Sequence, residues 1–540
     1  MKPKTQLLFL ALVFAGVAVA VEAPPSLRKH GAATQLVVDG KPFLMLAGEL
    51  HNSTASSLDY LKPVWGKLAT LNLNTVLATV SWELLEPEEG RFDFTLVDGL
   101  LSEARHHHHK LVLLWFGSWK NGVSSYAPAW VKKDTQRFPR AEGRSNHNKK
   151  DVLSPFSETS CAADARAFAA LMRHLRQADG TQHTVIMVQV ENEVGLKPET
   201  RDLCAASDAA FREAVPGELI ACLKQHRAEL HLWLKEKWTA AGSKESGTWP
   251  EVFGGGAGAD EVFMAWHYAR YIGRVAAAGK AAYPLPMYVN AWLEGDGAPG
   301  TYPVGGPVAK VMDIWRAAAP ALDVFAPDIY LADFKGVCAA YARAGNPLFI
   351  PEVHRDELLA GRAFWAFGEH GALGFSPFGI ESLDATNLLV ETYGVLAQLT
   401  PLIVEAQGIG RMAGVFQQPG ETDEGREVDI GDWRAHVRYE KRQRDRTAMG
   451  LIIQIAPDEF VVAGNWFSVN FSPRTPGPRY NSILQIEEGR FADGRWQPGR
   501  RLNGDETGAN WQAKLPPFNG NTFSRPDKLR ILRVKLYRYD

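Results

Sequence analysis

Eight short apolar runs, separated by amphipathic segments, constrain the fold of this chain more than any other feature between residues 40 and 400. Their apolar residues are continuous rather than alternating, as is typical of parallel strands buried on both faces. The runs are 43–47, 75–80, 111–116, 184–190, 287–289, 324–327, 348–350 and 363–367. Since eight strands close a (β/α)8 barrel, we predict a TIM barrel of the α/β class here.

The segments between the runs carry helical signals. Leu58, Leu61 and Trp65 recur at three- and four-residue steps, and Ser56 with Asp59 resembles a capping box. A longer polar insertion at 196–260 ends in a glycine run. No strand precedes those glycines, so they favour a flexible loop over a phosphate-binding turn.

The pattern changes after about residue 405. The runs 451–455 and 531–537 alternate apolar and polar residues, and Asp493-Gly494 between two such runs is a hairpin signal. We therefore predict a catalytic barrel over 21–405 and an antiparallel β-domain of sandwich type over 406–540. A packing role and carbohydrate binding are both open for this second domain.

The first twenty residues have the layout of a secretory signal peptide. Lys2 and Lys4 precede the apolar run 7–14, and Ala18-Val19-Ala20 supplies small residues for cleavage. No second uninterrupted apolar run of membrane-spanning length follows, so we predict an exported protein, periplasmic or extracellular, whose mature chain has no membrane span. Export permits disulfides, and Cys204 with Cys222 is the favoured pair.

Charge and cysteine spacing exclude several partners. Lys and Arg number 59 against 61 Asp and Glu, a net charge of −2, so we expect no nucleic-acid partner. The four cysteines are too scattered for a zinc site, and His106 to His109 favour a solvated helix end over a metal site. We predict neither a metal nor an organic cofactor. The sequence gives no oligomeric state.

Two glutamates stand where a barrel places its chemistry, at the carboxyl ends of strands. Glu193 follows the fourth run and Glu352 follows the seventh. A carboxylate at the edge of a dry core is costly unless it is paired, so each is either a salt-bridged rim residue or a catalytic one. Two facing carboxyl groups are what glycoside hydrolysis requires.

Asn192, beside Glu193, is a candidate to bond a sugar hydroxyl. A regular strand has a period of two and would put Asn192 and Glu193 on opposite faces. Both can reach the same site only if a bulge or distortion interrupts the strand there.

Two motifs resemble glycoside hydrolase family 35, the β-galactosidases. Residues 188–195 (VQVENEVG) are similar to the strand-four signature of that family, and residues 82–94 to its strand-two segment, whose form family 42 shares. The resemblance covers most of 35–400 and implies that Glu193 is the acid/base and Glu352 the nucleophile. The C-terminal part resembles the small β-domain of a bacterial subgroup, some of whose members trim xyloglucan side chains.

The resemblance also bears on substrate binding. Tyr330 occupies the place where related barrels have a tyrosine that bonds to the nucleophile. Thr79 and Ser118 replace residues that usually bind the galactose hydroxyls in this family. We therefore expect Glu49, Trp119 or Asn121 to bind these hydroxyls instead. At the predicted eighth strand, Trp365 is either a platform beneath the sugar or an ordinary core tryptophan.

The combined expectation is a retaining exo-β-galactosidase that acts on terminal β-D-galactosyl residues of a plant-type oligosaccharide or polysaccharide, including xyloglucan side chains. Two alternatives stay open. One is a retaining β-glycosidase for another sugar, such as an arabinoside or fucoside. The other is a non-catalytic exported carbohydrate-binding barrel.

Overall fold

The computed structural model describes residues 23–144, 149–343, 345–440, 447–502, 504–507, 511–516 and 528–540. The predicted signal peptide, residues 1–20, lies outside the described residues, so export stays a proposal.

Parallel strands close into a barrel, which confirms the predicted fold class. The seventh strand is split at Pro351. Its first part pairs with the eighth strand and its second part with the sixth, and this closes the sheet. In order around the barrel the strands are Met45–Glu49, Thr75–Ser81, Lys110–Lys120, Val185–Asn192, Met287–Trp292, Val324–Ile329, Phe349–Ile350 with Glu352–Val353, and Gly374–Phe375.

The predicted eighth strand at 363–367 is wrong. These residues belong to the helix Leu359–His370, and the strand follows as the two residues Gly374–Phe375. The helix is buried between the barrel and the C-terminal domain, where Gly361 lies against Phe416. The apolar run 363–367 is only five residues long, and a run this short within a buried helix cannot be told from a buried strand.

Helices surround the barrel and bury the outer faces of its strands. The predicted first helix begins at Leu58, with Ser57 rather than Ser56 as its N-cap. The glycine run lies between the helices that end at Phe253 and begin at Ala257. The helices are Leu58–Leu68, Trp82–Leu85, Thr95–His106, Ala129–Lys133, Glu158–Asp179, Ala205–Arg212, Gly217–Gln225, Leu232–Ala240, Trp249–Phe253, Ala257–Ala282, Met312–Ala318, Phe334–Tyr341, Leu359–His370 and Leu388–Ala406.

A three-stranded antiparallel sheet precedes the barrel and was not predicted. Its strands are Ser26–His30, Ala33–Val38 and Lys41–Phe43. Leu36 and Val38 from this sheet share a buried cluster with Met45 and Leu77 of the barrel interior. The sheet therefore closes the amino end of the barrel and leaves the carboxyl end as its mouth.

The helix Leu388–Ala406 is apolar and long enough to cross a membrane by length and composition alone. In the structure it packs against the barrel, and the Tyr393 hydroxyl lies 2.8 Å from the carbonyl oxygens of Ala47 and Phe375. It is the last helix before the C-terminal strands, which begin at Met412.

Two antiparallel sheets face each other in the C-terminal part, as predicted for a sandwich, and share one buried core. Asp493 (φ +50°) and Gly494 (φ +70°) join two strands in the left-handed conformations of a tight hairpin turn, so the predicted hairpin is confirmed. The six-stranded sheet contains Met412–Phe416, Met449–Ala456, Glu459–Asn465, Arg530–Tyr539, Tyr480–Ala492 and Arg495–Arg501. The four-stranded sheet contains Arg426–Ile430, Trp433–Tyr439, Phe467–Pro473 and Ala513–Leu515. A separate pair, Arg140–Glu142 and Lys149–Leu153, follows the third barrel strand.

The predicted disulfide between Cys204 and Cys222 is wrong, because all four cysteines are free thiols. Cys204 caps the helix that begins at Ala205, and its buried thiol lies 3.5 Å from the Ser154 hydroxyl. Cys222 belongs to the next helix, Gly217–Gln225. A short separation in sequence does not determine whether two cysteine side chains on neighbouring helices face each other.

Candidate active site

The mouth of the barrel holds a cavity of about 350 Å³ that contains both Glu193 and Glu352. It is lined by Asn52, Lys120, Asn121, Glu193, Trp292, Leu293, Asp328, Tyr330, Leu331, Glu352 and Phe378. These residues come from the carboxyl ends of several strands, which is where TIM barrels place their active sites. A neighbouring cavity of about 300 Å³ contains Glu83 and Tyr126 but neither of the two glutamates.

The end of the fourth strand is distorted. Glu191 (φ +65°) and Glu193 (φ +43°) both have left-handed backbone conformations. Such a conformation costs about 1–3 kcal/mol at a non-glycine residue and tends to occur at functional sites. It turns Glu193 into the cavity. Asn192, predicted to bond a sugar hydroxyl, is fully buried and does not line the cavity, because its side chain bonds to Gln189 and Asn290.

A buried pair of carboxyl groups holds this distorted segment in place. Glu191 accepts hydrogen bonds from the backbone N–H groups of Ser118 (3.0 Å) and Trp119 (2.9 Å), and its carboxyl is hydrogen-bonded to that of Asp164. Burial raises the pKa of both Glu191 and Asp164. Two such groups in contact share a proton, and the pair ties the end of the third strand to the end of the fourth.

Asn290 joins the fifth strand to the distorted end of the fourth. Its side-chain oxygen accepts a hydrogen bond from the Glu193 backbone N–H at 2.9 Å. Its amide nitrogen donates to Asn192 (3.1 Å) and to Asp328 (2.7 Å). Asn192 also faces Asn121, with 3.4 Å between their side-chain nitrogen and oxygen. The fifth strand thus fixes both Glu193 and Asn192, a role for Asn290 that the sequence did not reveal.

Four carboxyl groups lie close enough in this mouth to affect one another: Glu49, Glu193, Asp328 and Glu352. Burial, with the nearby Glu352 charge, raises the pKa of Glu193 to about 7, against the opposing effects of Lys120, an Asp328 hydrogen bond and Lys197. The same two causes raise the pKa of Glu49 and of Asp328.

Glu352 has a different environment from Glu193. The Tyr330 hydroxyl donates a hydrogen bond of 3.0 Å to its carboxylate, as the resemblance implied for this tyrosine. A site that keeps one glutamic acid protonated near neutral pH beside another carboxylate can supply an acid and a nucleophile. Among the described residues, no group of three or more His, Cys, Asp or Glu side chains is arranged to hold a metal ion.

Some of the predicted substrate-binding residues line the cavity, and others do not. Asn121 and Tyr330 line the cavity. Glu49, only 1% exposed at the end of the first strand, does not line it, although its carboxyl feels the charges of Glu193 and Glu352. Lys120 and Asp328 line the cavity and were missed, although each lies within two residues of a predicted one.

Trp119 does not contact the cavity, which corrects the prediction that it grips the sugar. Its ring is fully buried against Tyr268 and Tyr271, and its indole N–H donates to the Leu153 carbonyl at 3.0 Å. Trp119 lies four residues after Trp115, on the outer face of the third strand against the helix Ala257–Ala282, whereas Lys120 lines the cavity.

Trp365 is also away from the cavity, since it lies on the helix Leu359–His370 and not on a strand. Its ring packs between the Lys335 ammonium (4.1 Å from the ring centroid) and the Arg426 guanidinium (5.0 Å). Arg426 also forms a two-pronged ion pair with Glu369 of the same helix. Trp365 therefore joins the barrel to the β-domain, and the platform alternative is wrong.

Comparison with known proteins gives matches over two parts of the chain. Residues 64–252 match the glycoside hydrolase 42 family, described as "Beta-galactosidase", and residues 389–513 match a domain of unknown function (DUF5597). A curated β-galactosidase from Xanthomonas manihotis is 30% identical over 214 residues, which are 38% of this chain and 33% of that protein. The chain thus matches about a third of the length of this relative.

Solved structures with a similar fold are distant. A β-galactosidase from Bacillus circulans sp. alkalophilus is 17% identical with a TM-score of 0.46, over 67% of this chain and 57% of that one. A cold-adapted β-galactosidase from Rahnella sp. R3 is 17% identical with a TM-score of 0.43, over 66% and 56%. The catalytic domain of a Paenibacillus polymyxa β-amylase is 12% identical with a TM-score of 0.44, over 66% and 98%. A likeness this distant carries no argument about activity.

The matched segment contains Glu193 but ends before Glu352. Its family, 42, differs from family 35, whose motifs the sequence resembles, so the assignment to family 35 is not confirmed. Both matches in the barrel are to proteins described as β-galactosidases.

Proposed function

We propose that the protein is a retaining exo-β-galactosidase that removes terminal β-D-galactosyl residues from an oligosaccharide or polysaccharide. The observation that carries the proposal is the pair Glu193 and Glu352 in one cavity, with a pKa of about 7 at Glu193 and a tyrosine hydrogen bond at Glu352. Membership of family 35 and xyloglucan side chains as substrate are parts of this proposal that rest on the motifs alone.

In the proposed reaction Glu352 attacks the anomeric carbon while Glu193 donates its proton to the leaving oxygen. A covalent galactosyl-enzyme forms and the rest of the saccharide leaves. Glu193, now ionised, takes a proton from water, which attacks the same carbon and releases galactose with its configuration retained. This course requires carboxyl groups about 5–5.5 Å apart, whereas an inverting reaction requires about 6.5–9.5 Å.

The test of the proposed function is chromophore release from an aryl β-D-galactoside by the purified protein. We expect turnover, and NMR of the first product should show β-galactose. If aryl arabinosides or fucosides are hydrolysed and the galactoside is not, the sugar specificity is wrong. If a panel of aryl glycosides gives no turnover with a folded protein, the carbohydrate-binding alternative replaces the enzyme.

The pH dependence follows from the acid role of Glu193. Because its pKa is raised to about 7, the group is protonated below that pH and loses its proton as the pH rises through it. A general acid is lost in the same direction, so we expect kcat/KM to fall on the alkaline side with a midpoint near pH 7. The measurement is a kcat/KM–pH profile. A rate that stays level well above neutral pH would contradict the acid role.

A further inference from the structure

Trp292 is the residue of the cavity that the two-glutamate reaction does not use. It ends the fifth strand, lines the cavity beside Leu293, and leaves 37% of its surface exposed, whereas most large aromatic residues of the barrel are buried. The Lys197 ammonium lies 3.9 Å from its ring centroid. A cation over an aromatic face is an attractive contact that holds the ring in place. Lys197 therefore covers one face of the indole.

The fifth strand places Trp292 on the Glu193 side of the cavity. Asn290 accepts the hydrogen bond of the Glu193 backbone N–H, and Trp292 is two residues further along the same strand. Alternate residues of a strand lie on the same face, so Trp292 follows Asn290 one step closer to the mouth. Lys197 lies four residues after Glu193 and is close enough for its charge to act on that carboxyl.

The nucleophile lies further round the barrel: Glu352 is on the seventh strand, two strands from Trp292, whereas the strand of Glu193 is directly next to that of Trp292. In the proposed reaction the proton of Glu193 goes to the oxygen of the leaving group. Groups beside Glu193 therefore face the leaving group, and groups beside Glu352 face the galactosyl ring. Trp292 is on the leaving-group side.

We propose that Trp292, backed by Lys197, is the platform for the first sugar ring of the leaving group. The C–H faces of a pyranose stack on an indole, and the neighbouring Leu293 adds apolar surface beside Trp292. The preferred substrate is then a galactosyl oligosaccharide rather than a simple galactoside. This inference rests on the proposed function.

Two substrates separate the platform from the reaction. The leaving group of lactose is a sugar, whereas that of β-galactosyl fluoride is the fluoride ion, which has no ring to stack on Trp292. For Trp292→Ala we expect the ratio of kcat/KM on lactose to kcat/KM on the fluoride to fall about tenfold or more, the size of one lost stacking contact. We expect a similar fall for Trp292→Leu, which also serves if the alanine variant fails to fold, and partial recovery for Trp292→Phe.

The matched control is Trp233→Ala. Trp233 also has a lysine over its ring, with the Lys310 ammonium 5.2 Å from the centroid, but does not line the cavity. In Trp233→Ala the ratio of kcat/KM on lactose to kcat/KM on β-galactosyl fluoride should stay at the wild-type value. Equal losses on both substrates in Trp292→Ala would overturn the platform while leaving the proposed function intact. A wild-type protein inactive on both would overturn the proposed function, and the platform with it.

Discussion

The Glu352→Gln variant is expected to lose about 10⁴-fold or more of its kcat on aryl β-galactosides, as other hydrolases do when their nucleophile is replaced. Glutamine has the same shape, but its neutral amide does not attack the anomeric carbon. Its side-chain oxygen still accepts the Tyr330 hydrogen bond. Because the change removes one of four mutually repelling carboxyl groups, the free energy of unfolding should stay level or rise.

Kinetics, thermal unfolding and added azide test this prediction together. In Glu352→Ala, which leaves space where the carboxylate stood, azide should attack from the Glu352 side and give α-galactosyl azide. The control is Glu83→Gln, a rim carboxylate that is ion-paired with Lys132 and lies outside the cavity of Glu352. Intact turnover in Glu352→Gln would show that another group attacks the sugar, and a collapsed Tm would show a structural role instead.

The sequence predicted seven of the barrel strands because continuous apolar runs of three to seven residues survive in the structure as buried strands. It failed at the eighth, where the strand is only Gly374–Phe375 and a buried helix precedes it. A two-residue strand is held by its neighbours' hydrogen bonds, not by any pattern of its own.

The candidate site was predictable to a similar extent. Glu193 and Glu352 follow apolar runs, so their position alone indicates the barrel mouth. Asn290 and the Glu191–Asp164 pair were missed because their roles arise from contacts between strands and from a left-handed segment. The period of two indicated that Asn192 and Glu193 could share a site only through a distortion. The distortion is present, but only Glu193 lines the cavity.

The two misplaced tryptophans have a common cause. A tryptophan in a core and one beneath a sugar have the same local sequence, and the difference depends on which way the chain faces at that residue. Trp119 is on the outer face of its strand, and Trp365 is on a helix. Trp292, three residues beyond the run recognised in the sequence, is the one that lines the cavity.

The Glu193→Gln variant is expected to lose about 10²–10⁴-fold of kcat/KM, the usual contribution of a general acid, and the loss should depend on the leaving group. Galactosides with poor leaving groups, such as lactose, need the proton and should be affected most. From a dinitrophenyl galactoside the dinitrophenolate leaves without needing a proton. The galactosyl-enzyme should therefore still form and accumulate, which would be seen as a burst of released dinitrophenolate. The alkaline fall near pH 7 should disappear, since the acid whose proton is lost there has been replaced by an amide.

Azide distinguishes this variant from Glu352→Ala. With the Glu193 charge removed and Glu352 still present, azide should intercept the galactosyl-enzyme and give β-galactosyl azide, with a higher turnover rate on the dinitrophenyl substrate. The two azides thus assign the two glutamates to opposite faces of the sugar. Equal losses on all leaving groups, with no azide effect, would mean that Glu193 only positions the substrate. The Asn290 contact to its backbone would then account for its place in the cavity.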